Sequence, residues 1–219
     1  FQGRNRMKKA LISDLDMTLL DSKRDIAIGV AHAVSEVSGK IVTEQDVLPW
    51  LGKGLMVMFG KMMPGAGKDV FFEVVKVFQR FFWDRCNIHT QPFPGVMETL
   101  KTLKENGIPI AVASNKMSFI ARRVVRMNLL EPYILFTRGP DDLPGKPDPA
   151  VILACLETIE AGPDSTVYVG DSVADVRSGK ASGCFTVAVS YGLNSAEELK
   201  AENPDMLIDS FSEIFPLFE

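Results

Sequence analysis

The feature that most constrains the fold of this chain is an alternation of short apolar runs with helical patterns, which begins near Val96. Val96, Leu100 and Leu103 recur at helical spacing, and further helices are predicted over 119–127 and 149–159. Short apolar strands separated by helices form parallel sheets that are covered on both faces. The sequence therefore predicts an α/β fold, a parallel sheet with helices on both faces. The predicted strands are 9–13, 108–113, 166–169, 185–189 and 206–208.

A helical segment interrupts this alternation between residues 22 and 89. It contains two helical stripes of apolar residues, and no strand pattern lies between them. An all-helical stretch after the first strand is typical of an inserted domain, whose short connections would let it move as a lid. We therefore predict a catalytic core of residues 7–21 and 90–219 and an inserted helical cap of residues 22–89. Residues 1–6 are interpreted as a tag remnant or flexible start, with Met7 as the natural start.

Charge and composition exclude several classes of protein. The net charge is −4 with both signs scattered along the chain, whereas a nucleic-acid or anionic-membrane surface needs a basic patch. No apolar run reaches the ~18 residues of a membrane span. Cys86, Cys155 and Cys184 lack metal-ligand spacing, so we predict reduced core thiols and a cytoplasmic protein. The expected partner is a small molecule, with no nucleic acid and no membrane, and the chain is expected as a monomer or homodimer.

Polar residues follow the predicted strands at the points where those strands end. In open α/β sheets, ligands bind at the carboxyl ends of the strands. Each residue taken alone has an ordinary explanation as a turn, a helix cap or a solvated loop. Their shared position at one edge of the sheet makes a common site the better explanation. The residues are Asp14, Asp16, Ser114, Asn115, Lys146, Gly170, Asp171, Ser172 and Asp175.

These residue types suit phosphoryl transfer. Carboxylate oxygens are the ligands that Mg²⁺ prefers, and an aspartate can attack phosphorus to form an acyl-phosphate. A lysine and hydroxyl or backbone donors neutralise charge on the phosphoryl oxygens. A metal ion brings together a carboxylate and a phosphate that would otherwise repel each other. Magnesium is therefore the predicted cofactor.

Four motifs follow one another along the chain. The first is Asp14-Leu-Asp-Met-Thr18 after an apolar strand, and the second is Ser114 at the end of the next core strand. The third is Lys146 with its Pro-Asp-Pro sequence, and the fourth is Gly170-Asp-Ser-Val-Ala-Asp175. In this order and spacing they resemble the haloacid dehalogenase-like superfamily, specifically its phosphatases. The resemblance covers nearly the whole chain and implies a Rossmann-like core with a cap.

The resemblance implies a role for each charged residue. Asp14 would be the nucleophile and a direct Mg²⁺ ligand. Asp16 would be the general acid and base, with its backbone carbonyl on the metal. Asp171 would be the remaining protein ligand, and Asp175 would orient a metal-bound water or Lys146. Lys146 itself would pair with Asp14 and with the phosphate.

Other residues are implied to bind the substrate. Thr18, Ser114 and Asn115 would hold the phosphoryl group. The turn Gly52-Lys53-Gly54 resembles the Gly-rich substrate loop of the phosphoglycolate phosphatase-like group, which carries helical caps at this position. Lys53 would meet a carboxylate or second phosphate of the substrate, and a plain helix-helix turn is the alternative.

Three residues depart from the family pattern. Met17 stands where glycine is usual, Ser13 where a bulky apolar residue is usual, and Met117 where proline is frequent. None of these changes removes a catalytic group. Met17 lies beside the predicted substrate entrance, so it bears on the choice of substrate.

The predicted function is a Mg²⁺-dependent phosphomonoester hydrolase that acts through a phosphoaspartate on a small phosphorylated metabolite. Phosphoglycolate is the leading candidate. Asp16 favours phosphate chemistry because dehalogenase relatives lack an acid there, and Thr18 resembles phosphatases more than sugar-phosphate mutases. The alternatives are a sugar-phosphate phosphatase or phosphoglucomutase-like enzyme, a nucleotidase and a pyrophosphatase. A non-catalytic binding member is the alternative outside the enzymes, although a binding module has no reason to keep so costly a cluster of charges.

Overall fold

The computed structural model describes residues 7–51 and 55–219. The chain divides into two compact units, one of residues 7–21 and 92–219 and the other of residues 22–91. The second unit ends two residues beyond the predicted limit of the insert at residue 89. Its action as a cap stays a prediction, and the predicted Gly52-Lys53-Gly54 loop lies outside the described residues.

The first unit is built on a six-stranded parallel sheet with the strand order β5-β4-β1-β6-β7-β8. In chain order the strands are β1 Ala10–Ser13, β2 Leu20–Asp21, β3 Gln91–Pro92, β4 Ile110–Ala113, β5 Phe136–Arg138, β6 Thr166–Gly170, β7 Phe185–Val189 and β8 Met206–Ile208. The two-residue strands β2 and β3 lie next to the boundaries between the units. The predicted parallel α/β sheet is confirmed.

Helices account for most of the remaining chain. They are α1 Lys23–Ser38, α2 Glu44–Val47, α3 Leu55–Met62, α4 Lys68–Trp83, α5 Val96–Glu105, α6 Ser118–Met127, α7 Ala150–Thr158, α8 Val173–Ser182 and α9 Ala196–Ala201. Short 3-10 helices span Leu48–Trp50, Pro163–Ser165 and Phe211–Leu217. Within the described ranges, none of the helices is long and apolar enough to cross a membrane.

Both faces of the sheet are covered, which explains why its strands are apolar throughout. Ile12 and Tyr168 belong to a buried cluster with Val151 and Cys155 of α7. Leu11 points to the opposite face, because successive residues of a strand alternate between faces. Leu11 is also fully buried, so neither face of the central strands meets solvent.

The second unit holds its helices together through an apolar core. Val30 of α1 and Val74 and Val77 of α4 are buried in one cluster. At Gly29, a Cβ atom would lie 2.9 Å from a ring carbon of Phe78, so the close approach of α1 and α4 depends on the missing side chain.

Asp25 is a buried charged residue of this second unit. The carboxylate of Asp25 accepts hydrogen bonds from the backbone N–H groups of His89 and Thr90, both at 2.9 Å, and from the Thr90 hydroxyl at 2.7 Å. Asp25 therefore ties the first turn of α1 to the chain that leaves the unit.

The sequence pattern missed strand β5. Phe136-Thr-Arg138 has only three residues and ends on a charged one, so no apolar run marks it. It lies at the edge of the sheet, where one side of the strand has no neighbour and continuous apolarity is not needed. The parallel pairing with β4, rather than an apolar pattern of its own, defines β5 as a strand.

The three cysteines are buried and none is in a disulfide. Burial raises the pKa of the Cys155 thiol to about 12 and also raises the pKa of Cys184. Both thiols are therefore held in their neutral, unreactive form.

Candidate active site

The predicted site residues of the first unit meet at the carboxyl end of its sheet. Asp14 follows β1, Ser114 follows β4 and Asp171 follows β6. Because β1 lies between β4 and β6, these three strand ends adjoin one another. Lys146 comes from the loop between β5 and α7 and completes the group.

Lys146 is the centre of this cluster. Its Nζ donates to Oδ1 of Asp14 and to Oδ1 of Asp175, both at 2.6 Å, and to the carbonyl of Ala113 at 3.1 Å. Its side chain is only 3% exposed. Burial by itself would lower the pKa of Lys146, but the negative charges of Asp14 and Asp175 outweigh it and the pKa is raised. The lysine is therefore a permanent cation next to Asp14.

Asn115 holds the Lys146 backbone in place. Its Nδ2 donates to the Lys146 carbonyl at 3.1 Å, and its Oδ1 accepts from the Lys146 N–H at 2.7 Å. A Cβ at Gly145 would lie 2.8 Å from this Oδ1, so the glycine makes the close approach possible. The predicted contact of Asn115 with phosphate stays a prediction, and its side chain already has a structural task.

Asp175 lies behind the cluster and is saturated with donors. Oδ1 accepts from the Tyr168 hydroxyl at 2.6 Å as well as from Lys146, and Oδ2 accepts from the Ser172 hydroxyl. Burial would raise the pKa of Asp175, but the Lys146 charge and these hydrogen bonds outweigh it and the pKa is lowered. At Gly170 a Cβ would lie 2.3 Å from that of Asp175, which explains the glycine of the fourth motif.

Asp171 is buried against Thr18. Its Oδ1 accepts from the Thr18 hydroxyl at 2.8 Å and its Oδ2 from the backbone N–H of Leu193 at 2.9 Å. Burial is the main reason why its pKa lies well above the usual range, and the charges of Asp175 and Asp14 add to it. Thr18, predicted to hold phosphate, here binds a carboxylate, and its predicted role stays a prediction.

The carboxylates form a site that fits a divalent cation. Among the described residues, Asp14, Asp171 and Asp175 each offer one oxygen within 4.8 Å of the others. Burial is the main reason why the pKa of Asp14 is raised to about 7, and the negative charge of Asp175 adds to it. The positive charge of Lys146 opposes this rise but does not cancel it. Three buried carboxylates thus lie close together, and a single lysine contacts two of them, Asp14 and Asp175. Such an excess of anionic oxygen atoms suits a hard divalent cation. Because Asp175 is saturated with donors, Asp14 and Asp171 are the better ligands.

Asp16 faces a different lysine. Its Oδ2 lies 2.5 Å from Nζ of Lys116, and the two side chains are 17% and 15% exposed. Lys116 also uses its backbone, whose N–H donates to the hydroxyl of Ser114 at 3.1 Å. Sequence reasoning assigned no role to Lys116. The only available signal was a cation two residues after the second motif.

Tyr168 is a second residue that sequence reasoning missed. Its hydroxyl donates to Asp175 and accepts from Lys146 at 3.3 Å. Burial raises its pKa well above the usual value, so the hydroxyl keeps its proton. Its position inside the predicted strand 166–169 made it indistinguishable from an ordinary core aromatic.

The structure shows the local environment of Met17 and Ser13, two of the residues that depart from the family pattern. Met17 has a φ of +66°, the left-handed conformation in which glycine costs nothing and other residues are strained by about 1–2 kcal/mol. This conformation accounts for the glycine that is usual here. Ser13 satisfies its buried hydroxyl by donating to the Asp14 carbonyl at 2.8 Å.

Fold and site together define an α/β enzyme with an aspartate-lysine cluster at the carboxyl ends of a parallel sheet. A family model described as "Haloacid dehalogenase-like hydrolase" matches residues 11–189. The chain belongs to this family.

Curated relatives agree with this assignment. The chain is 32% identical over 219 residues to the phosphoglycolate phosphatase of Pseudomonas syringae, with 96% of this chain and 80% of the relative covered. It is 29% identical to the phosphoglycolate phosphatase of Aquifex aeolicus, with 96% and 97% covered. The predicted enzyme class, a haloacid dehalogenase-like phosphatase, is confirmed.

Solved structures match the fold over nearly the full chain. The crystal structure of a predicted phosphoglycolate phosphatase from Haemophilus somnus has a TM-score of 0.85 and covers 98% of this chain and 100% of that one. At 24% identity this similarity concerns the fold alone.

Proposed function

We propose that the protein is a Mg²⁺-dependent phosphomonoester hydrolase that acts on a small phosphorylated metabolite through a phosphoaspartate at Asp14. One observation carries the proposal: the Asp14 carboxylate is held 2.6 Å from Lys146 in a buried cluster with Asp171. A buried carboxylate beside a permanent cation can approach a phosphate dianion that it would repel in water.

The first step transfers the phosphoryl group to Asp14. Oδ1 of Asp14 accepts from Lys146, so we assign the attack to Oδ2. A bond forms between Oδ2 and phosphorus while the ester P–O bond breaks, and its electron pair stays on the leaving oxygen. Asp16 donates a proton to that oxygen, so the leaving group departs as a neutral alcohol rather than as an alkoxide.

The second step restores the enzyme. Asp16, now a carboxylate, takes a proton from a water molecule whose oxygen attacks phosphorus. The acyl-phosphate P–O bond breaks, inorganic phosphate leaves, and its electron pair returns to Oδ2 of Asp14. Lys146 remains an ammonium in both steps because its pKa is raised, so it serves as a fixed charge that stabilises the phosphoryl oxygens.

The cofactor is proposed on the same cluster. Asp14, Asp171 and the main-chain carbonyl of Asp16 would hold Mg²⁺, while Asp175 would support Lys146 from behind. When bound, Mg²⁺ supplies charge that offsets the repulsion between the carboxylates and the phosphate.

Phosphoglycolate is the leading substrate. The support for it is that the relatives from Pseudomonas syringae and Aquifex aeolicus are named phosphoglycolate phosphatases and are similar over nearly the whole chain. The mechanism above requires only a phosphomonoester, so the substrate and the reaction type can be tested apart.

A substrate screen tests the proposal. The purified protein is assayed for phosphate release from phosphoglycolate, sugar phosphates, nucleotides and pyrophosphate, each with Mg²⁺ and with EDTA. We expect the highest kcat/KM for phosphoglycolate and no turnover in EDTA. A higher value for a sugar phosphate or nucleotide would overturn the substrate, and no turnover of any compound would overturn the enzyme.

The covalent intermediate has its own test. Acid quenching during turnover of ³²P-labelled substrate should leave label on the protein that neutral hydroxylamine releases, as expected for an acyl-phosphate. The Asp14→Asn variant should acquire none. Label on this variant, or hydroxylamine-stable label on the wild type, would contradict attack by Asp14.

A further inference from the structure

The two aspartates of the first motif are served by two different lysines. Lys146, from the loop after β5, contacts Asp14 and leaves Asp16 to another cation. That cation is Lys116, from the loop after β4, at 2.5 Å from Asp16 Oδ2. Both side chains of the second pair are more than four-fifths buried, unlike a solvated surface ion pair.

The backbone that carries Lys116 is fixed on both sides. Its N–H donates to the Ser114 hydroxyl at 3.1 Å. Its carbonyl packs against Gly139, where a Cβ atom would lie only 1.9 Å from the carbonyl oxygen. Two residues further on, the N–H of Ser118 donates to Oδ1 of Asp141 at 2.8 Å. The ammonium is therefore presented from a rigid loop, which lets it define the direction of a partner side chain.

We propose that Lys116 is a positioning residue that orients the carboxyl of Asp16 toward the leaving oxygen of the substrate. This inference rests on the proposed function, because it needs Asp16 as the proton donor. A carboxyl with its proton on one oxygen still accepts a hydrogen bond from an ammonium on the other. Lys116 can thus hold Asp16 both before and after proton transfer.

The need for such a residue follows from the charges nearby. Asp16 is two residues from Asp14, and its carboxylate would be repelled by the buried negative charge of the cluster. An ammonium at 2.5 Å offers Asp16 a preferred direction in spite of that repulsion. Without Lys116, Asp16 could still donate a proton, but its carboxyl would no longer be directed toward the leaving oxygen.

The prediction that separates positioning from binding concerns the leaving group. Phosphoglycolate releases an alkoxide that needs a proton, whereas acetyl phosphate releases acetate, which needs none at neutral pH. Both compounds are small phosphorylated molecules. For each of them, kcat/KM reports the first phosphoryl transfer. A residue that acts through Asp16 should therefore matter for the first compound and hardly for the second.

The experiment measures kcat/KM of wild type, Lys116→Met and Asp16→Asn with both compounds at saturating Mg²⁺. We expect Lys116→Met to lose about 30- to 100-fold on phosphoglycolate and less than about 3-fold on acetyl phosphate. Asp16→Asn should show the same selectivity with a larger loss. Lys116→Arg keeps a cation and should recover most of the phosphoglycolate activity.

Lys101→Met is the matched control, because Lys101 is a well-exposed lysine of α5 with a weak contact to Glu105 at 4.0 Å. It should match the wild type with both compounds. Far-ultraviolet circular dichroism and the melting temperature establish that each variant is folded before its rates are compared.

Each other outcome has a definite meaning. Equal losses of Lys116→Met on both compounds would overturn the inference and assign Lys116 to phosphoryl binding. No loss on either would also overturn it. A selective loss in Asp16→Asn but not in Lys116→Met would leave the proposed function standing while the role of Lys116 fell. Turnover of neither compound by the wild type would overturn the proposed function first.

Discussion

The two units of the protein each bury aspartate, and they do so in opposite ways. In the second unit, Asp25 is surrounded by donors: two backbone N–H groups and a hydroxyl point at its carboxylate. At the strand ends of the first unit, oxygens of Asp14, Asp171 and Asp175 lie within 4.8 Å of one another, and a single buried lysine contacts Asp14 and Asp175. Around Asp25 neutral donors surround one negative charge, whereas the cluster brings three carboxylates together beside one lysine.

This difference separates a carboxylate that stabilises the fold from carboxylates that remain able to bind a ligand. A buried carboxylate is stable when local donors match its acceptor sites, and nothing then remains for a ligand. Where buried carboxylates outnumber the cations beside them, the folded state retains affinity for a further cation or a proton. Burial alone therefore does not indicate an active site, whereas buried negative charge in excess of the nearby cations favours one.

The largest effect is expected for Asp14→Asn. Turnover should fall by at least about 10³-fold, since the nucleophile is lost. The urea midpoint in EDTA should stay equal or rise, because one of three mutually repelling carboxylates is removed. Steady-state rates and urea denaturation followed by far-ultraviolet circular dichroism measure the two quantities. Retention of more than a few per cent of the activity, or a large loss of stability, would erase the contrast with Asp25.

The opposite pattern is expected for Asp25→Ala. Two backbone N–H groups and a hydroxyl lose their acceptor, so the free energy of unfolding should fall by about 2–4 kcal/mol. Hydrogen exchange at the amides of His89 and Thr90 should accelerate, while the exchange of the β1 amides stays slow. Asp25→Asn keeps one acceptor oxygen and should lose about half as much. A variant as stable as the wild type would mean that Asp25 is not a structural tie.

A smaller effect, on the Mg²⁺ affinity, is expected for Gly192→Ala. A Cβ at Gly192 would lie 2.2 Å from the Cβ of Asp171, so Gly192→Ala must move that carboxylate. We expect about a tenfold weaker Mg²⁺ affinity, seen as a smaller rise of the melting temperature with added Mg²⁺, because ligand-linked stabilisation follows the affinity.

The wild type supplies the reference for this measurement, since 100-fold excess of Mg²⁺ over its dissociation constant corresponds to about 2.7 kcal/mol. The same Mg²⁺-dependent shift in Gly192→Ala and wild type would argue against Asp171 as a ligand. The melting temperature without Mg²⁺ separates this outcome from a general loss of folding.

The smallest effect is expected for Gly60→Ala in α3. In the part of the chain that the structure describes, no atom lies within 4 Å of the added Cβ, and the position is exposed. Alanine should stabilise the helix by about 0.5–1 kcal/mol without a change in Mg²⁺ response. Urea denaturation measures this gain. Destabilisation would reveal a packing constraint on α3 that its surroundings do not indicate.

Much of the fold was accessible from the sequence because buried parallel strands leave an unmistakable local mark. The predicted strand 166–169 agrees with β6 to within one residue, and the predicted helix 119–127 agrees equally well with α6. Ser195 and Glu198 form a capping box at the start of α9, a pattern that is readable in the sequence. Strand β5 escaped notice because an edge strand of three residues is defined by its neighbour rather than by its own composition.

The site was predicted in composition but not in its internal contacts. Asp14 and Lys146 are 132 positions apart, and they were paired only through the order of motifs. The phosphate contact of Asn115 stays a prediction, and the hydrogen bonds of its amide to the Lys146 backbone were not foreseen. Such contacts depend on the path of a loop, and loop paths are determined by packing at a distance.

The sequence by itself determined the parallel sheet, the helical insert and the set of charged residues at the strand ends. These follow from periodicity and from motif order, which are local properties of the chain. Only the tertiary structure decided that Lys146 contacts Asp14, that Lys116 contacts Asp16 and that Tyr168 contacts Asp175. The physical reason is that charge balance in a buried cluster depends on distances between strand ends, and those distances exist only once the sheet has formed.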